Sequence, residues 1–175
     1  GCREQIVEAA QKAAGLLAVS EAIAADIAAL GVDPAKIRIH RTGIDRELFH
    51  VPQQDRAALR TLLSLPQDGP LLVSVGALIP RKGQGFVIEA LSQLPGVRLA
   101  LVGEGEDQAK LQMLARDLNV ADRVHFLGPR PHAEIAQIVQ AADLAVLPSS
   151  SEGLANAWIE ALACGTPLVI TDIGG

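Results

Sequence analysis

From Leu71 to Thr171 the chain alternates short apolar runs with stretches of helical period. The runs are LLVSVGA (71–77), VRLALVG (97–103), RVHFLG (123–128), DLAVLPS (143–149) and PLVIT (167–171). Nearly continuous apolar strands separated by helices are the pattern of a parallel sheet covered on both faces. Between the strands, Leu111, Leu114, Ala115 and Leu118 fall at i, i+3, i+4 and i+7, and so do Ile135, Ile138, Val139 and Ala142. Each set predicts a helix with one buried face. After SSEGLAN a further helix is expected, with Ala155, Trp158, Ile159 and Leu162 as its buried face. The pattern predicts an α/β fold built on a doubly wound parallel sheet.

Before Leu71 the same alternation is looser. It predicts a helix to about Ala14, a strand at 15–20, a helix from Glu21 to Leu30 and a strand at 36–40. TGIDRELFHVPQQD (42–55) reads as a connector, rich in turn residues. A domain boundary is therefore expected near Val51, giving domains at 1–50 and 51–175. TDIGG follows a strand directly, where a doubly wound fold turns into its next helix, so the natural protein is expected to continue beyond this point. No internal repeat or low-complexity tract appears.

With 49% hydrophobic residues in 175, a folded core is the default. A net charge of −5 and a pI near 5.3 argue against a nucleic-acid partner, which calls for clustered Lys and Arg. Cys2 and Cys164 show neither C-x-x-C pairing nor metal-ligand spacing, which suits a reduced, cytoplasmic protein. No apolar run approaches the roughly 20 residues that span a bilayer, and GCREQ is no signal peptide. Peripheral attachment to the inner face of the cytoplasmic membrane through segments outside this sequence stays compatible. Aromatic residues make up 2% and Tyr is absent, so any bound sugar is held mainly by polar groups.

In open parallel sheets ligands bind beyond the carboxyl ends of the strands, which directs attention to four loops. IPRKGQG (79–85) sets Arg81 and Lys82 before a helix start, where backbone N–H groups already favour an anion such as a diphosphate. The same run also suits a solvated basic turn. VGEGEDQ (102–108) resembles the start of a dinucleotide motif, but Gln108 replaces the third Gly and Glu104 and Glu106 repel a pyrophosphate. A tight strand-to-helix turn accounts for it better. LGPRPH (127–132) is a rigid turn able to face a flat base, with Arg130 and His132 nearby, and equally an ordinary connector.

In the fourth loop Glu152 precedes a helix and Glu160 lies eight residues on. In a helix that spacing is about 12 Å along the axis. A glycosidase acid/base pair needs roughly 5–9.5 Å, so these carboxylates suit two places on one elongated ligand. The blander alternative has Ser150 or Ser151 capping the helix and Glu160 as a surface charge. There is no phosphate loop of the G-x-x-x-x-G-K-[ST] kind, no G-x-S-x-G elbow and no D-x-D for a divalent metal. His40, His50, His125 and His132 are scattered and read as structural or solvent-facing, and Cys164 as a small packed side chain.

VGALIPRKGQGFVIEAL, LVGEGEDQAKLQMLA, RVHFLG and LPSSSEGLANAWIEALACGTPLVITDIGG resemble, in order and spacing, the donor-binding domain of glycosyltransferase family 4. These are retaining enzymes of the GT-B architecture, two Rossmann-like domains facing each other across a cleft. AVSEAIAADIAALGVDPAKIRIHRTGIDRELF resembles the end of that family's N-terminal, acceptor-binding domain and its hinge. The resemblance implies that Glu152 approaches the donor sugar, Glu160 binds the ribose hydroxyls, and Arg81 and Lys82 neutralise the diphosphate. Glu152, Arg81 and Lys82 are then the catalytic set. Glu160, Gly153, Leu154, Ala155, Asn156, Gly76, Gly103, Gly128, Pro129 and Arg130 are the donor-binding set.

The chain departs from the family pattern at three places. Ala77 stands where many members carry Arg, Thr42 where Asn often precedes G-[VI]-D, and Leu154-Ala155-Asn156 where a further Gly is common. The implied activity is transfer of a hexose, with retention, from a nucleoside diphosphate sugar to an unidentified sugar, lipid or glycan acceptor. Neither metal nor cofactor is implied, and the chain by itself is expected to bind donor with little transfer. Alternatives are a non-catalytic nucleotide-binding module, a nucleotide-sugar epimerase sharing the architecture, and an NAD-dependent oxidoreductase, which the incomplete glycine motif disfavours.

Overall fold

The computed structural model of the chain describes residues 2–173. They divide into two compact units, one built on the residues up to Gly43 with Glu152–Asn156 and Ile173, the other on Ile44–Ser151 and Ala157–Asp172. The first contains α1 (Cys2–Lys12), β1 (Leu16–Ala18), α2 (Glu21–Ala29) and β2 (Ile37–Ile39). Strands β1 and β2 pair in parallel, Leu16 opposite Ile37 and Ala18 opposite Ile39. Ser20 caps α2, its Oγ accepting from the Ile23 N–H at 3.2 Å. Lys36 donates its Nζ to the carbonyls of Gln11 and Ala13 at 2.9 and 3.2 Å, satisfying acceptors left open where α1 ends.

The second unit carries the sheet. In chain order it comprises α3 (Arg56–Leu62), β3 (Leu71–Val75), α4 (Gln84–Leu91), β4 (Arg98–Val102), α5 (Gln108–Asp117), β5 (Val124–Gly128), α6 (His132–Ala141), β6 (Leu144–Leu147), α7 (Asn156–Ala163, from its second residue onward) and β7 (Leu168–Ile170). The five strands run in parallel in the order β5-β4-β3-β6-β7. Because side chains alternate along a strand, the apolar runs feed two cores. Leu71, Val73, Ala100 and Val102 join Leu59, Ala136, Val139, Ala161 and Cys164 on the side of α3, α6 and α7. Leu72, Leu99 and Leu101 join Val87, Ile88, Leu91, Leu111 and Ala115 under α4 and α5. This is the doubly wound Rossmann-like sheet expected from the sequence.

Three features differ from the expectation. Helix α3 lies in a stretch assigned no element. Asp55 caps it, accepting from the Ala58 N–H at 2.7 Å, and its inner face carries a buried arginine beside Leu59. Arg60 donates to the carbonyls of Ala141 and Gly69 at 3.1 and 3.0 Å and to Asp143 at 2.5 Å. Asp143 also accepts from the Leu71 N–H at 2.7 Å, so this network ties the amino ends of β3 and β6.

The division between units falls after Gly43 rather than near Val51, because Ile44, Leu48 and Phe49 pack into the core of the sheet unit. On α7 the buried residues are Trp158, Glu160 and Ala161, followed by Cys164, while Leu162 is 62% exposed. Small Ala161 and Cys164 allow close approach to Ala136 of α6, so the inner face runs through Trp158, Ala161 and Cys164 and leaves Leu162 outside. Because α7 begins at Asn156, neither Ser150 nor Ser151 can cap it.

Candidate functional site

Strand β3 has β4 on one side and β6 on the other, so the order of connection reverses between β3 and β6. In such folds the crevice beyond the carboxyl ends at this reversal is where ligands bind. Two loops meet there. After β3 the chain passes Gly76 and makes a 3₁₀ turn, Pro80–Lys82; after β6 it runs through Pro148 to Ser151.

The loops are locked together. The Ser150 N–H donates to the Arg81 carbonyl at 2.8 Å, and the Arg81 guanidinium donates to the Ser151 carbonyl. Thr171, just past β7, donates its hydroxyl to the Ser149 carbonyl. Gly83 closes the turn with φ +69, and a Cβ there would lie 2.3 Å from the Pro148 carbonyl oxygen. Only glycine fits both the left-handed backbone and that approach.

Lys82 lies over the end of β3. A Cβ built on Gly76 would stand 3.6 Å from its Cε and 3.9 Å from its Nζ. Arg81, exposed, and Lys82, half-buried, thus bring two cations to the start of α4. Helix N–H groups there add positive potential, a combination whose chemistry suits an anion.

The glycines expected to serve the ligand stand in a row across three strand ends. Gly76 donates its N–H to the Val102 carbonyl and Gly103 to the Gly128 carbonyl, each at 2.9 Å. A Cβ on Gly103 would lie 2.2 Å from the Gly76 oxygen. The Leu78 and Asp107 N–H groups bond to the Glu104 and Leu78 carbonyls at 2.9 Å. VGEGEDQ is therefore a tight turn packed on its neighbour, as its chemistry indicated. Beyond Gly128, Pro129 is exposed, and Arg130 bonds to the Leu127 carbonyl at 2.9 Å and to Glu134 at 2.8 Å.

Glu160 is 7% exposed, so the structure removes the reading of it as a surface charge. Its Oε1 lies 3.2 Å from Nε2 of His132. Burial raises the carboxyl pKa, and His132 works against that rise. Cys164, one turn further along, has its thiol pushed up to about 11 by burial and by the Glu160 charge. It is an inert packed side chain, as the sequence indicated.

His132, which the sequence placed beside the 127–132 turn and read as structural or solvent-facing, makes a contact with Glu160 that links α6 to α7. Glu152, Gly153, Leu154, Ala155 and Asn156 group with the first compact unit. There a Cβ on Gly153 would lie 3.0 Å from Cγ2 of Val19. Among the described residues no group of three or more His, Cys, Asp or Glu is placed to hold a metal, and no helix is long and apolar enough to cross a membrane.

Comparison with known proteins identifies the family and the fold. The sequence model of the glycosyl transferases group 1 matches residues 55–175. The D-inositol 3-phosphate glycosyltransferase of Mycobacteroides abscessus is 41% identical over 148 residues, covering 82% of this chain and 33% of the relative. The enzyme of the same name from Mycobacterium bovis is 39% identical over 150 residues, covering 83% and 31%.

Among solved structures, HepE from Anabaena in complex with UDP and glucose superposes with a TM-score of 0.90 at 29% identity, over 99% of this chain and 48% of that one. Sucrose-phosphate synthase from Thermosynechococcus elongatus gives 0.79 at 32% identity, over 91% and 41%. The chain thus spans about a third of the length of these curated relatives and about half or less of these solved chains. With the family sequence model matched across the whole sheet unit from helix α3 onward, the chain belongs to the glycosyl transferases group 1.

Proposed function

We propose that this chain holds the nucleoside diphosphate sugar of a retaining hexosyltransferase, with UDP as the nucleotide. The observation that carries the proposal is the turn bearing Arg81 and Lys82, locked by Gly83 and Ser150 onto the loop after β6 at the reversal point of the sheet. A diphosphate seated there meets both cations and the start of α4. As the bond between sugar and nucleotide breaks, negative charge grows on the leaving diphosphate. Cations already fixed in place stabilise that charge without reorganisation.

In this reading the buried Glu160 accepts from the ribose hydroxyls, and Glu152 approaches the donor sugar. Gly76, Gly103, Gly128, Pro129 and Arg130 line the strand ends beside the nucleotide, and Gly153, Leu154, Ala155 and Asn156 offer backbone groups to the sugar or phosphate. The choice of UDP is supported by HepE, whose structures hold UDP and UDP-glucose. The acceptor is a sugar, lipid or glycan, and the reaction takes place in the cytoplasm or at the inner face of its membrane.

The test is calorimetric titration of the full natural polypeptide with UDP, GDP, ADP and UDP-glucose. UDP binding is expected to exceed that of the other two nucleotides, and Lys82→Ala to weaken it at least about tenfold, the loss of one charged hydrogen bond. Equal affinity of the parent and of Lys82→Ala for UDP overturns the assignment.

A further inference from the structure

We propose that His132 is a positioning residue for nucleotide binding: from the start of α6 it fixes the Glu160 carboxylate in the orientation that receives the ribose hydroxyls. The proposal rests on the ribose role of Glu160 given above.

Three separate segments meet at this point. Phe49 comes from the connector before α3, His132 from the first residue of α6, and Glu160 from the middle of α7. Nε2 of His132 stands 3.2 Å from Oε1 of Glu160. The imidazole meets Phe49 edge-on, with centroids 5.0 Å apart and planes inclined by 71°. Phe49 is 1% exposed and packs in the core of the sheet unit, so the ring leans on a fixed wall. His132 itself is 61% exposed, and burying a carboxylate next to it gives the fold little.

A glutamate that bridges two vicinal hydroxyls needs both oxygens aimed, and holding such a long side chain still costs up to about 2 kcal/mol in rotamer freedom. One bond from the imidazole to Oε1 restrains the side chain beforehand. Acceptor sites on both oxygens stay open, since an ionised carboxylate has about four. The imidazole donates either as the neutral ring with its proton on Nε2 or as the cation.

The other groups near the carboxylate do not compete for it. The Cys164 thiol is protonated at neutral pH, and on α6 Glu134 is engaged by Arg130 at 2.8 Å. Burial disfavours the ionised form of Glu160, and His132 opposes that effect. The same contact therefore orients the group and helps keep it charged.

The experiment compares UDP with 2′-deoxy-UDP by calorimetry, using the full natural polypeptide and its variants His132→Ala, His132→Gln, Glu160→Ala and the double variant His132→Ala/Glu160→Ala. The parent is expected to prefer UDP. His132→Ala should lose about tenfold in UDP affinity with little change toward 2′-deoxy-UDP, the size of one charge-assisted hydrogen bond. His132→Gln, which keeps a donor, should recover most of that loss, and the double variant should bind no more weakly than Glu160→Ala.

If His132→Ala keeps the parent's preference for UDP while Glu160→Ala loses it, the positioning role falls and the ribose role stands. If Glu160→Ala keeps the preference, both fall. Should His132→Ala fail to fold, His132→Phe retains the ring against Phe49 without the donor and is read against the same outcomes.

Discussion

At the scale of single residues, Glu160 sets binding against stability. Its folded pKa is raised by burial, so the native state holds its proton more tightly than the unfolded chain does. Stability from this group is therefore fullest below the ordinary carboxylate value and declines as pH rises through the window up to the raised folded value. Above that window the cost of burying the charge is complete. Glu160→Gln removes the charge and keeps an acceptor for His132. At neutral pH it should raise the melting temperature, by stabilisation on the order of 1 kcal/mol, while weakening UDP binding. Acid should act on the two properties in opposite directions, since the proposed ribose contact needs the ionised form. Thermal melts and titrations across the acid range measure both, and a lower melting temperature for Glu160→Gln at neutral pH contradicts the reasoning.

At the scale of elements, the site depends on how closely the loops after β3 and β6 approach. Gly83→Ala forces φ +69 on an L-residue and sets its Cβ 2.3 Å from the Pro148 oxygen. The turn must move, which should cost about 1–3 kcal/mol and displace Lys82, so that UDP affinity drops along with the melting temperature. A variant that melts lower yet binds UDP as the parent does separates turn geometry from the nucleotide site.

Strands β3, β4 and β6 were legible in the sequence because each apolar run is almost wholly buried and bounded by turn residues. Helix α3 was not, since a buried Arg60 on its inner face breaks the apolar period; the Asp55 cap was the local signal. Helix α7 was placed correctly and Trp158 is buried as expected, but Leu162 lies outside, and Glu160 and Ala161 take the inner positions instead. Arg81 and Lys82 could be picked out by position after a strand. The pairing of His132 with Glu160 could not, because sequence spacing says nothing about which side chains meet across two helices.

At the scale of the whole molecule, the two compact units differ in how much they bury. The core of the sheet unit includes Leu71, Val73, Leu99 and Leu101, all inaccessible, with helices on both faces of the strands. In the first unit the fully buried apolar residues among those described are Ala10, Ala18 and Val32, and Leu17 on β1 is 70% exposed. Each methylene removed from water is worth about 0.8 kcal/mol, so the alanines contribute little and most stabilisation resides in the sheet unit. Opening of a region with few apolar contacts requires less free energy than opening of a packed core. In the 175-residue chain taken by itself, amides of β1 and β2 should therefore exchange with solvent at least about 100-fold faster than those of β3 and β4, through openings that leave the central sheet intact. Denaturant should accelerate exchange in β3 and β4 much more steeply, because their exposure accompanies unfolding of the entire sheet and releases far more surface. Hydrogen exchange followed by mass spectrometry over a denaturant series tests this, and equal protection with equal denaturant dependence in both pairs of strands would show that the units unfold as one.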